Sequence, residues 1–328
     1  MPNNTKKSNK KDQSKKKNNQ KKYKVRNWSE YNDALVERGN IEFWMDPETL
    51  KKWKAKLQGK KGRAQLYTDL SIIVTLQFGK VFHQKLRQTE GLLKSIFKTA
   101  NIDLPVPDYS TLSKRGGTIT IDLPKTHQDQ VILILDSTGL KVYGEGEWKV
   151  RQHGISKRRT WKKMHLAISP NGEIRAAEIT GNDIADCDVA PRLLDQEQSP
   201  IEKVLGDGGY DRRKVYTACQ KRQVEHIIIP PQKNAKIFQH GNIKSSPPHP
   251  RDENLRAIRN STRKKWKEDI GYHVRSLVET AMFRYKTIFG DKLNARKMEN
   301  QITECMLSLS ILNKMTALGM PDSYAVNG

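Results

Sequence analysis

Cysteine is scarce in this chain of 328 residues, with Cys187, Cys219 and Cys305 its only three. They are widely spaced, form no C-x-x-C pair and have no histidine at zinc-ligand spacing beside them, which argues against a disulfide framework and against a zinc site. They read as small buried thiols. Long apolar runs are missing too: no stretch reaches the roughly 18 residues that a membrane span requires. The N-terminus is lysine and asparagine rather than a charged cap before an apolar core, so it does not read as a secretory signal. A cytoplasmic, nucleoid-associated protein with no membrane partner is expected.

Acidic residues are in deficit. Sixty Lys and Arg face 36 Asp and Glu, a formal charge of +24. Such an excess attracts polyanions and releases counterions on binding them, which puts nucleic acid first among partners and an anionic membrane surface second. The excess is densest at the start, where residues 1–26 hold eleven Lys or Arg against the single acid Asp12. Residues 1–27 are therefore expected to be a disordered basic arm.

Residues 28–127 read as helical. Leu66 to Gly79 and LRQTEGLLKSIFKTA (86–100) carry apolar residues at helical spacing, and LPVPDYSTLSKRGG follows a Pro-bounded turn. Asp108 or Ser110 can cap a short helix containing Lys114 and Arg115. Helix, short turn and short basic helix is the order of a helix-turn-helix, so this region is expected to bind DNA.

At about residue 128 the pattern changes. VILIL (131–135) is a short apolar run ending in Asp136, as for a strand buried on both faces. LKVYG, MHLAI (164–168), the turn SPNG and EIRAAEIT (173–180) complete a three-strand antiparallel meander. A helix over 187–196, a brief strand ending at Asp207, a helix in RRKVYTACQKR and a fifth strand in EHIIIP follow. Residues 231–268 are basic and Pro-rich and are expected to be irregular. Two helices then close the chain. That order is α/β, with few alternatives. It is the order of a ribonuclease H-like catalytic domain over 128–320, a mixed five-stranded sheet with flanking helices, in which the first and fourth strands are parallel neighbours. Asp136 and Asp207 would then adjoin despite the 71 positions between them.

Two carboxylates at strand ends, where open α/β sheets bind ligands, repel unless a cation holds them. A hard divalent ion such as Mg²⁺ suits such oxygens. The segment GYHVRSLVETAMFRYK (271–286) supplies a third acid. At about 100° per residue, Tyr272, Arg275, Glu279 and Lys286 fall on one narrow stripe opposite Val274, Leu277, Ala281, Tyr285 and Ile288. A solvated face with i,i+4 pairs is the plain alternative. With Asp136 and Asp207 in view, the stripe reads as half of a phosphoryl-transfer site. Glu279 holds metal, Arg275 and Lys286 hold phosphates, and Tyr272 donates to phosphate or stacks on a base. KRRTWKKMH (157–165) gathers Lys157, Arg158, Arg159 and Lys162 around Trp161, a pattern suited to backbone contact plus base stacking or to a solvated hairpin. Asp211 reads as the cap of the next helix.

The spacing Y-x2-R-x3-E-x6-K from Tyr272 to Lys286, with LDSTGLK around Asp136 and GDGGYD around Asp207, resembles the signature of DDE transposases of bacterial insertion sequences. YKVRNWSEYNDALVERG, VFHQKLRQTEGLL, LPVPDYSTLSKR and SKRRTWKKMHLA are similar to the IS-five-like branch, so the resemblance runs from Tyr23 to about Leu318. It implies binding to terminal inverted repeats, cutting at element ends and joining of 3′ hydroxyls to target DNA, by a homodimer. Asp136, Asp207 and Glu279 would hold Mg²⁺ or Mn²⁺. The stretch between Asp207 and Glu279 is too short for the large β-rich insertion of some relatives, so hairpin formation through that insertion does not carry over. A DNA-binding repressor that has lost transposition, and a ribonuclease H-fold nuclease that cuts without joining, are the competing readings.

Overall fold

The computed structural model describes residues 22–56, 65–142, 161–238 and 248–326. Its centre is a mixed sheet. Strand β1 (Lys22–Val25) lies outside it; β2 (Val131–Val142), β3 (Trp161–Ile168) and β4 (Ile174–Gly181) form the antiparallel meander. β5 (Ile201–Leu205) and β6 (His226–Ile228) add parallel strands on the other side of β2, giving the order β4-β3-β2-β5-β6. The expected parallel pairing of first and fourth strands is present. A sixth strand, β7 (Lys292–Leu293), pairs with the far end of β2 and extends the expected five.

The alternation of β2 explains the layers. Val131, Leu133 and Leu135 face one way, packing on helices Asp186–Asp195 and Arg213–Lys221 through Val189, Leu193, Val215 and Tyr216. Ile134 and Leu140 face the other way, onto Val278, Ala281, Met282 and Tyr285 of helix Ser276–Phe289 and onto Cys305, Leu309 and Leu312 of helix Met298–Leu318. With both faces covered, the strands need apolar residues on both sides, as parallel sheets do. All three cysteines are buried and free, as expected.

A second core joins the N-terminal helices to the last one. Trp44, Trp53, Ile72, Phe78, Leu93, Phe97 and Leu112 pack with Leu307, Ile311 and Met315. The helical expectation for residues 28–127 therefore holds for the elements from Trp28–Glu37 to Tyr109–Arg115, but the helix-turn-helix geometry does not follow. Residues 100–108 connect helix Leu86–Thr99 to helix Tyr109–Arg115, far longer than the three- or four-residue turn of that motif.

Three further expectations are corrected. Residues 22–25 do not belong to a disordered arm: β1 pairs antiparallel with β8 (Ser323–Val326). Segment 231–268 is not irregular throughout, because helices Pro250–Asn260 and Arg263–Asp269 occupy much of it. Pro250 stands at the first helical position, where a missing N–H does no harm, and His249 caps by accepting from the Arg251 N–H. Asp211 is not the cap of the next helix, a position that Arg212 takes. Its buried carboxylate accepts from Arg251 Nε (2.7 Å), the Tyr216 hydroxyl (3.2 Å) and the Gln232 N–H (3.0 Å), and so ties the segment after β6 to the sheet. Among the described residues no helix is long and apolar enough to cross a membrane.

Candidate active site

β2 does not end at Asp136. It runs on through Ser137, Thr138 and Gly139, each paired with β3, so Asp136 is a mid-strand residue opposite Leu166. On the other flank the parallel register pairs Ile134 with Leu205. Carried two residues further, that register points Asp136 towards Asp207, just past the end of β5, and the two carboxyl groups interact electrostatically. Both side chains are half-buried.

The turn after β5 is built around Asp207. Its Oδ1 accepts from the Gly209 N–H at 2.8 Å and caps the short 3₁₀ helix Gly208–Tyr210. Two glycines of GDGGYD, Gly206 and Gly209, are needed for space. A Cβ at Gly206 would stand 3.0 Å from the Tyr210 ring, and one at Gly209 would stand 2.9 Å from Asp207 Oδ1.

Three of the four stripe residues, Arg275, Glu279 and Lys286, are linked to one another or to β2, although they do not sit on one continuous helix. Gly271, at φ 65°, turns the chain in the left-handed region, residues Tyr272–Arg275 form a 3₁₀ turn, and the α-helix starts at Ser276. Arg275 Nη2 donates to Asp136 Oδ2 at 2.8 Å, and Nη1 donates to Glu279 Oε1 at 2.7 Å. One guanidinium thus bridges two of the three expected carboxylates. Its Nε is buried with no partner among the described residues. Lys286, farther along the helix, donates to Thr138 Oγ1 at 2.6 Å, two residues beyond Asp136 on the same face of β2.

Tyr272 departs from the expected role. Its ring is mostly buried beside Trp266 and its hydroxyl donates to the Gly206 carbonyl at 3.0 Å, so the hydroxyl is committed to holding the turn that carries Asp207. Burial pushes this phenol up to about 12.

Burial and mutual repulsion set the electrostatics of the site. Burial lifts the Asp136 carboxyl above the ordinary aspartate range, the Ser137 N–H and Arg275 pull it back, and Asp207 and Glu279 push it up again. Burial would lower Arg275, but Asp136 and Glu279 outweigh it and raise the guanidinium. The carboxylates feel one another, and the cation between them belongs to the protein. Among the described residues no three acidic, histidine or cysteine side chains form a ready metal cage. Asp136 and Glu279 nevertheless already converge on one cation and Asp207 adjoins, a donor set of hard oxygens suited to a divalent ion.

The remaining expected contacts scatter. Lys157, Arg158 and Arg159 lie outside the described residues. Trp161 packs over Gly139, whose added Cβ would stand 3.2 Å from the ring, and Lys141 lies 5.7 Å from the ring centre. Lys162 is half-buried on β3 opposite Leu140. Arg115 is turned inward, donating to Asp69 and to the Tyr67 carbonyl. Lys114 is exposed and lines a cavity of 790 Å³ between the helical region and the last helix, where Lys85, Arg296 and Lys297 join it. The sequence reading missed Lys233 and Lys267, which line a smaller cavity of 420 Å³ at Asp207. Their signal was faint, because both sit in the segment read as irregular.

Two family models match the chain. Each is described as a transposase DDE domain, the first over residues 36–145 and the second over residues 127–314. The second spans the whole sheet and contains Asp136, Asp207 and Glu279.

Proposed function

The chain belongs to the transposase DDE family, a family of DNA-cleaving and strand-transferring enzymes, and on that premise we propose that it binds the terminal inverted repeats of its own element, cuts at the element's ends and joins the freed 3′ ends to target DNA. The observation that carries this reading is the Arg275 bridge between Asp136 and Glu279. With Asp207 set alongside by register, it gathers three acids separated by 71 and 72 positions of sequence. The Tyr272 to Lys286 spacing supports the IS-five-like branch.

Asp136, Asp207 and Glu279 would hold Mg²⁺ or Mn²⁺, which when bound supplies activation of the attacking oxygen and stabilisation of the leaving oxygen in phosphodiester chemistry. The protein's own groups do the rest. Arg275 neutralises the carboxylates, and it presents a planar fork that can pass to a phosphate once they have another cation. Lys286, fixed by Thr138, places a point charge beside the strand to be cut. Tyr272 keeps the Asp207 turn in place through the Gly206 carbonyl. The helical region binds end DNA through phosphates, with Lys114, Lys85, Arg296 and Lys297 along its groove. Two copies of the chain act together to pair the two ends.

The test is substitution. Asp136→Asn, Asp207→Asn and Glu279→Gln are each expected to abolish metal-dependent cleavage of end DNA while leaving binding to that DNA intact. Cleavage retained in any one of them removes that residue from the site. Cleavage without joining in the wild type would favour the nuclease, and binding without cleavage the repressor.

A further inference from the structure

The cavity at Asp207 is walled by two elements with no assigned role. One is the loop Pro230-Pro231-Gln232-Lys233 that follows β6; the other is helix Arg263–Asp269, which contributes Arg263 and Lys267. Both walls are fixed. The Gln232 N–H donates to the buried Asp211 carboxylate, and Arg263 Nη2 donates to the Pro231 carbonyl at 2.6 Å. The cavity floor is Asp207, Gly208, Tyr272 and Arg275, so the pocket opens onto one carboxylate and onto the guanidinium that bridges the other two.

Its charge is lopsided. Asp207 is the sole acid among the lining residues, against Lys233, Arg263, Lys267 and Arg275. Arg275 is engaged by Asp136 and Glu279. Lys233 is exposed, and among the described residues neither it nor Lys267 pairs with a carboxylate. Lys267 lies 4.8 Å from the centre of the Tyr272 ring, which holds its ammonium over the pocket floor and covers the face of that ring. Its volume of 420 Å³ lies at the small end of the range for small-ligand sites, about 300–1,000 Å³, room for one nucleotide unit. Lys286 reaches Thr138 of β2 from helix Ser276–Phe289, whereas this pocket lies past the ends of β5 and β6, on the other side of Asp136 and Asp207.

We propose that the pocket is a second phosphate subsite, in which Lys233 and Lys267 hold a backbone phosphate of the DNA strand on the side of the scissile bond away from Lys286. The inference rests on the transposase reading. A strand crossing the site then has cations on both flanks and carboxylates between them, which fixes its direction as well as its position. With Tyr272 covered by Lys267, the pocket reads phosphate and does not stack a base.

The test uses the full chain and end DNA in which single phosphates near the cut are replaced by neutral methylphosphonates. Wild type, Lys233→Ala, Lys267→Ala, the double variant and Lys233→Arg with Lys267→Arg are compared for affinity across salt concentrations and for cleavage rate. The double alanine variant should bind about tenfold or more weakly, with its salt slope reduced by about 2. One methylphosphonate position should weaken wild type yet add nothing to the double variant, and the arginine pair should restore both readouts. The inference is overturned if the alanine variants match wild type, or if every methylphosphonate adds its full effect to the double substitution. A wild type that neither binds nor cuts end DNA overturns the transposase reading itself, and the subsite with it.

Discussion

Arg175 and Arg275 each bridge two carboxylates, and the surroundings of the two triplets differ in every other respect. Arg175 is 2% exposed, and it grips Glu197 through Nε and Nη2 at 2.7 and 2.9 Å and Glu173 through Nη1 at 2.9 Å. Every partner is filled: Glu197 accepts the N–H groups of Gln198 and Ser199, Glu173 accepts the N–H and hydroxyl of Thr126, and Arg175 also donates to the Thr126 carbonyl. At the other triplet, Glu279 is 59% exposed, Asp136 accepts one backbone N–H, and Arg275 Nε has no partner among the described residues. A buried ionic group is tolerable when all its hydrogen bonds are made. The closed triplet fastens β4 to the end of helix Asp186–Asp195; the open one keeps oxygen lone pairs and a donor for something else.

Breaking the closed triplet is expected to have the largest effect on stability. Glu197→Ala leaves the buried Nε and Nη2 of Arg175 without their acceptor and should lower the unfolding free energy by about 3 kcal/mol, measured by urea denaturation. A loss below about 1 kcal/mol would mean that the two triplets are energetically alike. Arg275→Gln should shift stability by only about 1 kcal/mol. Because it removes the cation already between Asp136 and Glu279, it should also tighten Mn²⁺ binding to DNA-free protein, read by calorimetry. Weaker Mn²⁺ binding in that variant would contradict the placement of the metal at these carboxylates. Tyr272→Phe leaves the Gly206 carbonyl without its donor. It should lower stability by about 1 kcal/mol and slow cleavage while end-DNA binding is kept.

The smallest effect separates the triplets by sign. Burial raises Glu197, but Arg175 and the Ser199 N–H outweigh it, so its carboxyl sits below the ordinary range. Its stabilisation is present above that range and is lost as pH falls through the depressed value. Asp136 is lifted, so its contribution is present below the ordinary range and is lost as pH rises through the lifted value. At neutral pH, Glu197→Gln should therefore melt below wild type and Asp136→Asn slightly above it, and both gaps should narrow on acidification. Melting curves from neutral to mildly acid pH without metal check this; gaps of the same sign would dissolve the distinction.

Much of this site was legible in the sequence. The meander, the parallel neighbour of β2 and the acids at Asp136 and Asp207 follow from apolar runs and turn signals, because strands buried on both faces leave a continuous apolar stretch. What escaped needed information that periodicity lacks. β2 continues past Asp136 since Ser137, Thr138 and Gly139 pair with β3, and a polar residue within a strand reads as an end. The β1–β8 pair joins residues about 300 positions apart with nothing local to announce it. Helix Pro250–Asn260 was hidden by prolines that start it. The wheel placed Arg275, Glu279 and Lys286 well but misjudged Tyr272, since a left-handed Gly271 and a 3₁₀ turn place the ring in the core.

The central claim is that Asp136, Asp207 and Glu279 form one phosphoryl-transfer centre. It is tested most directly by incubating the purified protein with DNA carrying the gene's own flanks and Mg²⁺ or Mn²⁺, with Glu279→Gln as control. Metal-dependent nicks at the element's ends followed by joined product, both absent from the variant, are the predicted result. Equal cleavage by wild type and variant, or binding with no cleavage by either, would contradict it.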